Sequence, residues 1–548
     1  MTKAKVRRPN TNYIWIALFV LTIFVYFFGL TIPLLGPDEP RYAQVAREML
    51  ARGDWITPTL GGFNWFEKPA LLYWLQIVSY KLFGVSEFAA RFGSTVFGLG
   101  TIFILWLLGR FSAAENTEIS EINPGFSEKS VLPAANDFAN WLALIAASSI
   151  GIIVFSRGAS FDIILTFPMT ASLVSFFIFD TVSKRSANPG SDSLASSRRL
   201  VAAPLIAFYF FIGVSLLAKG LIGIVFPFAI VGFYYLLSLR FPGKIFIISL
   251  FWGTMIAAAV VSLWYLPMYL RHGSEFIDQF FIQHHFQRFT SNKYFHPQPF
   301  YFFFWVLPLM TIPWLPFFLA AIWDLGKKIF YRRDAETPRE IDKSDSDKSI
   351  TSSSPRLRVS ASPLLLFTLA WLIVPLVFFS FSGSKLPGYI LPALPAVIIL
   401  TADYVCRFAK KSRIHKASIQ LTAAATFFTV IGLLLLVVPG FAEADSVKGL
   451  IAAADERGFK TERVLSLQTV SHNAEFYAAG RLLRTEDGKQ KKLNSPAELA
   501  EELRREEGKP VLVIVPLVDL KRLSDSGLVN MEVIKENGEL AIVYTAAK

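Results

Sequence analysis

Cysteine and charge are both scarce in this chain. Its one cysteine, Cys406, excludes an internal disulfide framework and leaves no thiol cluster that could bind a metal. Only 18% of the 548 residues are charged, whereas 53% are hydrophobic and Phe alone occurs 52 times. With a mean hydropathy of +0.45, this composition is typical of a protein that crosses a membrane many times and not of a large soluble enzyme.

Long apolar runs are abundant. Runs of roughly 17–25 residues are long enough to cross a bilayer. We count about eleven, or up to thirteen helices if some runs break, near residues 13–33, 88–110, 138–156, 161–183, 204–218, 220–238, 245–268, 299–325, 363–381, 388–406 and 418–440. The first run has no small-residue cleavage pattern, so we expect a retained helix and not a removed signal peptide. The sequence therefore predicts an α-helical polytopic membrane protein.

The positive charges indicate how these spans are oriented. The net charge of +12 comes from basic residues clustered beside apolar runs, which encodes topology and argues against nucleic-acid binding. With the amino terminus inside, every cluster falls on the inner side. Three inner segments, 114–136, 186–199 and 334–355, are polar and low in complexity, and we expect them to be flexible connectors. The loops rich in ionisable residues then share the outer face: 36–70, 157–162, 219–220, 269–299 and 382–389.

The chain changes character after the last span. Residues 441–548 have soluble patterning, and we predict that they form a small outer α/β domain beside a membrane domain of residues 1–440. Ser495 to Glu498 is a capping box that opens a helix ending near Gly508. Val511–Pro516 is predicted as a strand, and Glu532–Thr545 as a hairpin that turns at Asn537-Gly538.

The first outer loop holds the densest group of ionisable residues. Asp38 opens a helical pattern with one apolar stripe, which favours an interfacial helix lying flat on the membrane. Asp38 could cap this helix, act in catalysis, or do both. Further along, Lys68 could extend to the interface or bind a phosphate oxygen beside Glu67.

Other outer loops add candidate residues. Residues 283–289 include His285 and Arg288. His285 could be a metal ligand or a phosphate contact, and the Arg288 guanidinium could bind a phosphate with two hydrogen bonds. Alternatively, the segment is only a polar loop at the membrane interface. Lys219 interrupts two apolar runs, where a lone charge is costly unless it is paired or solvated. Asp162 and Tyr389 stand at outer helix ends, although Tyr389 alone could be an aromatic-belt residue.

A lipid-linked phosphate is a suitable substrate for this arrangement of carboxylates and cations at the outer ends of apolar helices. Its tail needs a hydrophobic groove, and its head group needs cations that also stabilise phosphate as a leaving group. A nearby carboxylate could act as a general base for an acceptor hydroxyl, or stabilise positive charge developing on a sugar. A phosphate acceptor would need no deprotonation, and the role of the carboxylate would then be restricted to positioning and to stabilisation of charge.

Several motifs carry a resemblance to a known family. The segment PDEPRYAQVAREMLARGDW, followed by FEKP, resembles the bacterial aminoarabinose transferases that modify lipid A. More broadly it is similar to GT-C glycosyltransferases related to protein mannosyltransferases. The HHFQRF, LAKG and SKLPGYILP segments follow in the expected order, so the resemblance covers about residues 10–405. It implies the GT-C fold, with interfacial helices in the first outer loop.

The resemblance also implies a function and a set of roles. Such enzymes take a sugar from a polyprenyl phosphate, typically undecaprenyl phosphate, on the periplasmic face of the bacterial inner membrane and invert its anomeric centre. The acceptor would be lipid A or a similar envelope molecule. At the matching positions, Asp38 and Asp162 would be the catalytic carboxylates. The donor phosphate would be held by Lys68, Arg288, Lys219, Tyr389 and Arg41, and Glu67 with His285 would be a possible divalent-metal site.

Two other functions are weighed against this one. Transfer of mannose or another hexose to a protein or envelope glycan would use the same donor chemistry. A transporter or flippase of lipid-linked sugars would place polar groups near the bilayer midplane and show related halves. Here the polar residues lie at helix ends on one face, which favours an enzyme.

Overall fold

The computed structural model describes residues 11–122, 135–186, 194–287, 297–335, 362–506 and 509–547. Parts of two segments predicted as flexible connectors, residues 114–122 and 194–199, are helical, because long membrane helices continue into them. The rest of these connectors lies mostly outside the described residues, as does nearly all of 334–355. The described chain is mostly helical, with a small sheet region near its end, which confirms the predicted fold class.

Helices make up the membrane region. In chain order they are α1 Thr11–Phe27, α2 Asp38–Arg52, α3 Leu71–Phe83, α4 Glu87–Ile122, α5 Ala135–Ser148, α6 Ile150–Ser156, α7 Phe161–Ser186, α8 Leu194–Lys219, α9 Ile222–Leu237, α10 Lys244–Phe276, α11 Phe302–Leu309, α12 Leu315–Ala335, α13 Pro363–Ser380, α14 Leu394–Ala409 and α15 Arg413–Leu436. A π-helix, Ile277–Gln287, continues from α10, and a 3₁₀-helix, Pro387–Ala393, leads into α14.

Fewer helices are long enough to span a membrane than the eleven apolar runs suggest. Among the described residues seven qualify by length and composition, or eight if α5 and α6, bent by 59°, form one span. Two shorter apolar helices lie within α1 and α9. The predicted run 299–325 is split between α11 and α12 around the Ile312-Pro313 bond. The sequence is continuously apolar across these breaks, so hydropathy alone does not indicate where the backbone bends.

Close helix contacts fix the position of Lys219. It ends α8, and Gly220 turns the chain into α9 with a positive φ of 74°. A Cβ on Gly223 would lie 2.4 Å from the backbone carbon of Ser215, so α9 approaches α8 more closely than a side chain allows. Small residues permit such backbone approach in membrane helices. The ammonium group of Lys219 is thereby held at the end of two packed helices.

The first outer loop contains two short strands, β1 Thr59–Leu60 and β2 Phe63–Asn64, and the last part of the chain contains a five-stranded sheet. The strands of this sheet are β3 Val464–Leu467, β4 Lys492–Leu493, β5 Val511–Pro516, β6 Val529–Glu536 and β7 Leu540–Ala547, with helices α16 Val438–Asp445, α17 Lys448–Glu456, α18 Ala474–Tyr477, α19 Pro496–Arg505 and α20 Leu517–Asp525. The strand order is β4-β3-β5-β7-β6. Strands β4, β3 and β5 are parallel, whereas β7 is antiparallel to β5 and β6. All five strands lie within residues 441–548, which we call the outer domain after its predicted side of the membrane. The boundary between residues 440 and 441 stays a prediction.

Local sequence signals in the outer domain match the structure. The Ser495 hydroxyl accepts a hydrogen bond from the backbone N–H of Glu498 at 3.2 Å, as the predicted capping box requires. The predicted strand is β5, and the predicted hairpin is β6–β7 with its turn at Asn537-Gly538. Helix α19 ends at Arg505, three residues before the predicted end at Gly508, which lies outside the described residues.

Candidate active site

Helix α2 and a short hairpin shape the first outer loop. Helix α2 ends at Arg52 and is followed by Gly53, which adopts the left-handed conformation that favours glycine. The hairpin pairs β1 Thr59–Leu60 with β2 Phe63–Asn64. Glu48 of α2 holds its turn, because its carboxylate accepts hydrogen bonds from the Thr59 hydroxyl at 2.8 Å and the Gly61 N–H at 2.7 Å. The chain that leaves the hairpin is thus tied to α2.

Four charged residues gather where α2 begins, and we call them the Asp38 group: Asp38, Arg41, Glu67 and Lys68. Arg41 donates to Asp38 Oδ1 at 2.7 Å, and the Lys68 ammonium lies 3.0 Å from Glu67 Oε1. Burial works against the charge on Arg41, but the Glu67 and Asp38 carboxylates raise its pKa overall. Asp38 is the most open, with 54% of its side chain exposed. The predicted capping role of Asp38 is wrong, because the N-cap residue is Pro37 and no side chain caps the helix.

Two buried tyrosines lie beneath this group. Burial, followed by the Glu67 charge, raises the pKa of Tyr42 and of Tyr73 well above the usual value. Both rings contact Phe161 edge to face, with centroids 4.8 Å and 5.5 Å away. Phe161 is the residue before Asp162. The aromatic cluster therefore joins the Asp38 group to the start of α7.

A second polar group, here the Asp162 group, comprises Asp162, Lys219 and Tyr389. The Lys219 ammonium pairs with the Asp162 carboxylate and lies 4.9 Å from the centroid of the Tyr389 ring. Both charged side chains are mostly enclosed, with 14% and 19% exposed for Lys219 and Asp162. The ends of α7 and α8 and the 3₁₀-helix thus bring together three residues that are distant in sequence.

Sequence reasoning missed the ion pair that anchors the first loop. Glu39 accepts from Arg91 Nε at 3.0 Å and Nη2 at 2.8 Å, and from the Ala159 N–H at 2.6 Å. Burial would raise the pKa of the Glu39 carboxyl, but the Arg91 charge and these bonds lower it. Arg91 also donates to three backbone carbonyls, those of Leu30, Ile32 and Pro33. The signal in the sequence for this ion pair is that Arg91 is a lone arginine near the start of an apolar run, where a charge is costly unless it is paired.

The end of α10 is docked on the same loop. Arg271 donates to Asp54 Oδ1 at 2.9 Å, and the His272 ring is 2.9 Å from the Thr57 hydroxyl. The backbone bends at Gly273, where φ is 55° and ψ −131°, and continues into the π-helix. The start of the π-helix also contacts the first outer loop, because Phe276 and Phe280 pack in one cluster with Phe66.

The proposed metal ligands are only partly described. The side chain of His285 and all of Arg288 lie outside the described residues. Glu67 supplies carboxylate oxygens, a suitable donor for a divalent ion, beside the Lys68 ammonium. Among the described residues no group of three His, Cys, Asp or Glu side chains could hold a metal ion.

Known proteins share this architecture. A crystal structure of ArnT from Cupriavidus metallidurans bound to undecaprenyl phosphate superposes with a TM-score of 0.69 at 19% identity, covering 98% of each chain. The apo structure of that protein matches with the same TM-score and coverage at 20% identity. The predicted GT-C fold is confirmed. The chain is a multi-pass membrane protein.

Sequence comparisons agree with the fold. A family model described as dolichyl-phosphate-mannose-protein mannosyltransferase matches residues 15–117. The undecaprenyl phosphate-α-4-amino-4-deoxy-L-arabinose arabinosyl transferase of Aeromonas hydrophila is 28% identical over 78% of this chain and 66% of that protein. The Yersinia enterocolitica protein of the same name is 28% identical over 76% and 63%. The aligned part of the chain thus spans slightly less than two thirds of the length of these relatives.

Proposed function

We propose that this protein is an inverting glycosyltransferase that moves 4-amino-4-deoxy-L-arabinose from undecaprenyl phosphate to lipid A. One observation carries the proposal: the Asp38 group and the Asp162 group meet on one aromatic cluster at the ends of apolar helices. The relatives from Aeromonas hydrophila and Yersinia enterocolitica are named for transfer of this sugar from undecaprenyl phosphate, which supports the proposed donor.

The donor is a phosphate on a long isoprenoid, so its binding needs cations at the edge of an apolar surface. Lys68 and Lys219 supply two ammonium groups, and Arg41 supplies a guanidinium held by Asp38. Each cation already has a carboxylate partner, which limits the cost of keeping it partly buried before the donor binds. Arg288 and the Tyr389 hydroxyl are further proposed contacts to the same phosphate.

The reaction would break the bond between the anomeric carbon and the donor phosphate oxygen. That oxygen keeps the electron pair, and the cations stabilise the charge that it gains. An acceptor oxygen forms the new bond from the opposite face of the sugar, which inverts the anomeric centre. Asp38 and Asp162 are the proposed carboxylates that stabilise positive charge developing on the sugar ring.

The acceptor decides whether a base is needed. A phosphate of lipid A is ionised and attacks without losing a proton, so Asp38 would only position the reactants and stabilise positive charge on the sugar. A hydroxyl acceptor would need Asp38 as a general base. The 54% exposure of the Asp38 side chain leaves its carboxylate accessible for either role.

The active site and the outer domain are proposed to face the periplasm. The support is the distribution of basic residues, which places lysines and arginines between the spans on the opposite side. Arg407 illustrates the pattern, since it lies at the end of α14 remote from the 3₁₀-helix that carries Tyr389.

A second candidate is transfer of mannose or another hexose to a protein or envelope glycan. It is favoured by the match of residues 15–117 to the mannosyltransferase model. The matched segment includes Asp38, Glu67 and Lys68. The donor phosphate chemistry is the same in both reactions, so only the sugar and the acceptor distinguish them.

A divalent ion bound by Glu67 and His285 is a separate proposal. No step above passes through it, because the described residues supply only Glu67. Chelator treatment of the purified protein tests the proposal through two readouts: the thermal unfolding midpoint and the metal content of the protein. A bound ion predicts stoichiometric metal and a lower midpoint after chelation, both abolished in Glu67→Gln. Absence of metal with an unchanged midpoint would contradict it.

The transfer itself is tested with purified full-length protein in lipid nanodiscs. The donor is undecaprenyl phosphate-aminoarabinose, and separate reactions receive lipid A or a protein acceptor. Mass spectrometry should detect aminoarabinose on lipid A alone. Transfer of a hexose from a polyprenyl phosphate to the protein, with lipid A unmodified, would favour the second candidate.

A further inference from the structure

The tip of the β1–β2 hairpin touches the outer domain. The two strands are joined by Gly61 and Gly62 alone, because Leu60 pairs directly with Phe63. Both glycines have a positive φ, 61° and 84°, as a two-residue type I′ turn requires. Their surroundings differ, however. A Cβ on Gly61 would lie 1.8 Å from Arg484 Nε of the outer domain, whereas a Cβ on Gly62 would meet nothing within 4 Å.

Arg484 is fixed within the outer domain. Its guanidinium pairs with the Glu475 carboxylate, and its Nη1 donates to the Gly488 carbonyl at 2.9 Å. Only 7% of the Arg484 side chain and 6% of the Glu475 side chain are exposed. A buried ion pair is costly to break, because separation leaves a buried charge without a partner. Arg484 therefore cannot move aside readily, and the missing side chain of Gly61 leaves room for it.

A second contact lies beside the first. The turn that follows Arg484 is closed by a hydrogen bond from the Gly488 N–H to the Thr485 carbonyl at 2.9 Å. A Cβ on Gly488 would lie 2.7 Å from Cγ of Phe63, the first residue of β2. The outer domain thus contacts both the turn and the second strand of the hairpin. Since Glu48 also accepts from the N–H of this turn, α2 and the outer domain hold the tip together.

Helix α2 is itself docked on the outer domain. Arg47 donates to the Phe476 carbonyl at 3.2 Å, and its guanidinium lies 5.7 Å from the centroid of the Phe476 ring. The Tyr477 hydroxyl donates to Glu87, at the start of α4, at 3.0 Å. These contacts fix the outer domain relative to α2, and hence the place from which Arg484 reaches the hairpin.

The hairpin leads directly to the Asp38 group. The Trp65 N–H donates to the Pro58 carbonyl at 2.9 Å, which extends the pairing by one residue beyond β2. The Arg41 guanidinium lies 5.8 Å from the centroid of the Trp65 ring. Phe66 is buried, with 2% exposed, and Lys68 follows two residues later. A displacement of the hairpin would therefore reach two proposed phosphate-binding cations, Arg41 and Lys68.

We propose that Arg484 is a positioning residue of the active site, which acts through the β1–β2 hairpin to set the positions of Lys68 and Arg41. The inference rests on the proposed function, because it treats both cations as contacts to the donor phosphate. Arg484 itself does not contact the donor. It is the fixed surface on which the hairpin tip packs, so the outer domain contributes to donor binding without supplying a ligand to the phosphate.

The two adjacent glycines supply a matched pair of variants. Gly61→Ala and Gly62→Ala place a side chain on the same kind of positive φ, but only the first directs a methyl group into Arg484. The measurement is the Kd of the full-length protein for undecaprenyl phosphate, by tryptophan fluorescence in detergent, with the thermal unfolding midpoint as a check of folding. Gly61→Ala should raise this Kd about tenfold, because Lys68 loses part of a charge-assisted contact. Gly62→Ala should stay within about twofold of wild type.

A second set of variants removes Arg484. Arg484→Ala combined with Glu475→Gln leaves neither an unpaired charge nor a side chain against the hairpin tip. This double variant should bind undecaprenyl phosphate about tenfold more weakly than wild type. Adding Gly61→Ala to it should change the Kd less than about twofold, because the two positions act through one contact and their effects are not additive. The double variant also decides the inference if Gly61→Ala does not fold.

Three results would overturn the inference: equal Kd values in Gly61→Ala and Gly62→Ala, a wild-type Kd in the double variant, or an undiminished effect of Gly61→Ala when Arg484 is absent. A wild-type Kd with a lowered unfolding midpoint would show that the contact only stabilises the fold. A wild-type protein that binds undecaprenyl phosphate but transfers no sugar to lipid A would overturn the proposed function, and the Kd values would still decide the inference. A wild-type protein that does not bind undecaprenyl phosphate would overturn both.

Discussion

The ammonium group of Lys219 pairs with the carboxylate of Asp162, although the two residues are separated by 57 positions in sequence and lie at the end of α8 and the start of α7. The Lys219 ammonium lies over the Tyr389 ring, and Phe161, next to Asp162, contacts the two tyrosines beneath Asp38. Through these contacts the Asp38 group and the Asp162 group form one site. Stability requires that neither Asp162 nor Lys219 is left unpaired, whereas activity requires both residues.

Removing either partner of this pair should destabilise the protein more than removing both. Asp162→Asn and Lys219→Met would each leave an unpaired charge that is mostly enclosed, at a cost of roughly 2 kcal/mol or more. The double variant leaves no such charge. We expect its thermal unfolding midpoint to lie above those of the single variants, whereas sugar transfer is lost in all three. Additive loss of stability would contradict the pairing.

Gly388 leaves room for the Asp162 carboxylate. A Cβ at this position would lie 1.9 Å from Asp162 Oδ2, so Gly388→Ala should displace the carboxylate from Lys219. We expect transfer to fall at least about tenfold, since small displacements at reacting centres are costly. Gly432→Ala is the control, because nothing lies within 4 Å of its added Cβ. Wild-type turnover in Gly388→Ala would show that the position of Asp162 does not matter.

Lys68 should contribute affinity for the donor. Lys68→Ala removes one charge-assisted contact to phosphate, worth roughly 1.5–3 kcal/mol, so the Kd for undecaprenyl phosphate should rise about ten- to hundredfold. Binding can be measured by tryptophan fluorescence in detergent. Lys410→Ala, at the end of α14 remote from the site, should bind as wild type does. Equal affinity in Lys68→Ala would remove Lys68 from the phosphate site.

Glu39 should make stability depend on acidic pH. Its folded pKa is lowered relative to its unfolded value, so its stabilising effect is complete above that unfolded value, about 4.3, and is lost as pH falls through the folded pKa. Glu39→Gln should lower the unfolding midpoint at neutral pH, because Arg91 loses its charged partner. The difference from wild type should shrink below about pH 4. A difference that is constant with pH would contradict the ion pair.

Local signals in the sequence predicted local structure well. The cap at Ser495 and the hairpin at Asn537-Gly538 depend on a few adjacent residues, and both are confirmed. Lys219 was found because a lone charge between two apolar runs is costly, and Asp162 because it stands at an outer helix end, but their pairing depends on how α7 and α8 pack. The role of Glu39 was hidden beside Asp38, since its partner Arg91 belongs to another helix.

Asp38 gives the most direct test of the whole account. Cells that contain wild-type protein, Asp38→Asn or no protein would be compared by mass spectrometry of their lipid A. We expect the mass increment of one aminoarabinose with wild type only, and an Asp38→Asn protein that is folded, present in the membrane and able to bind undecaprenyl phosphate. Aminoarabinose on lipid A at wild-type levels in the Asp38→Asn cells, with none in cells that lack the protein, would contradict the catalytic role of Asp38. Lipid A that is unmodified in all three would contradict the proposed reaction.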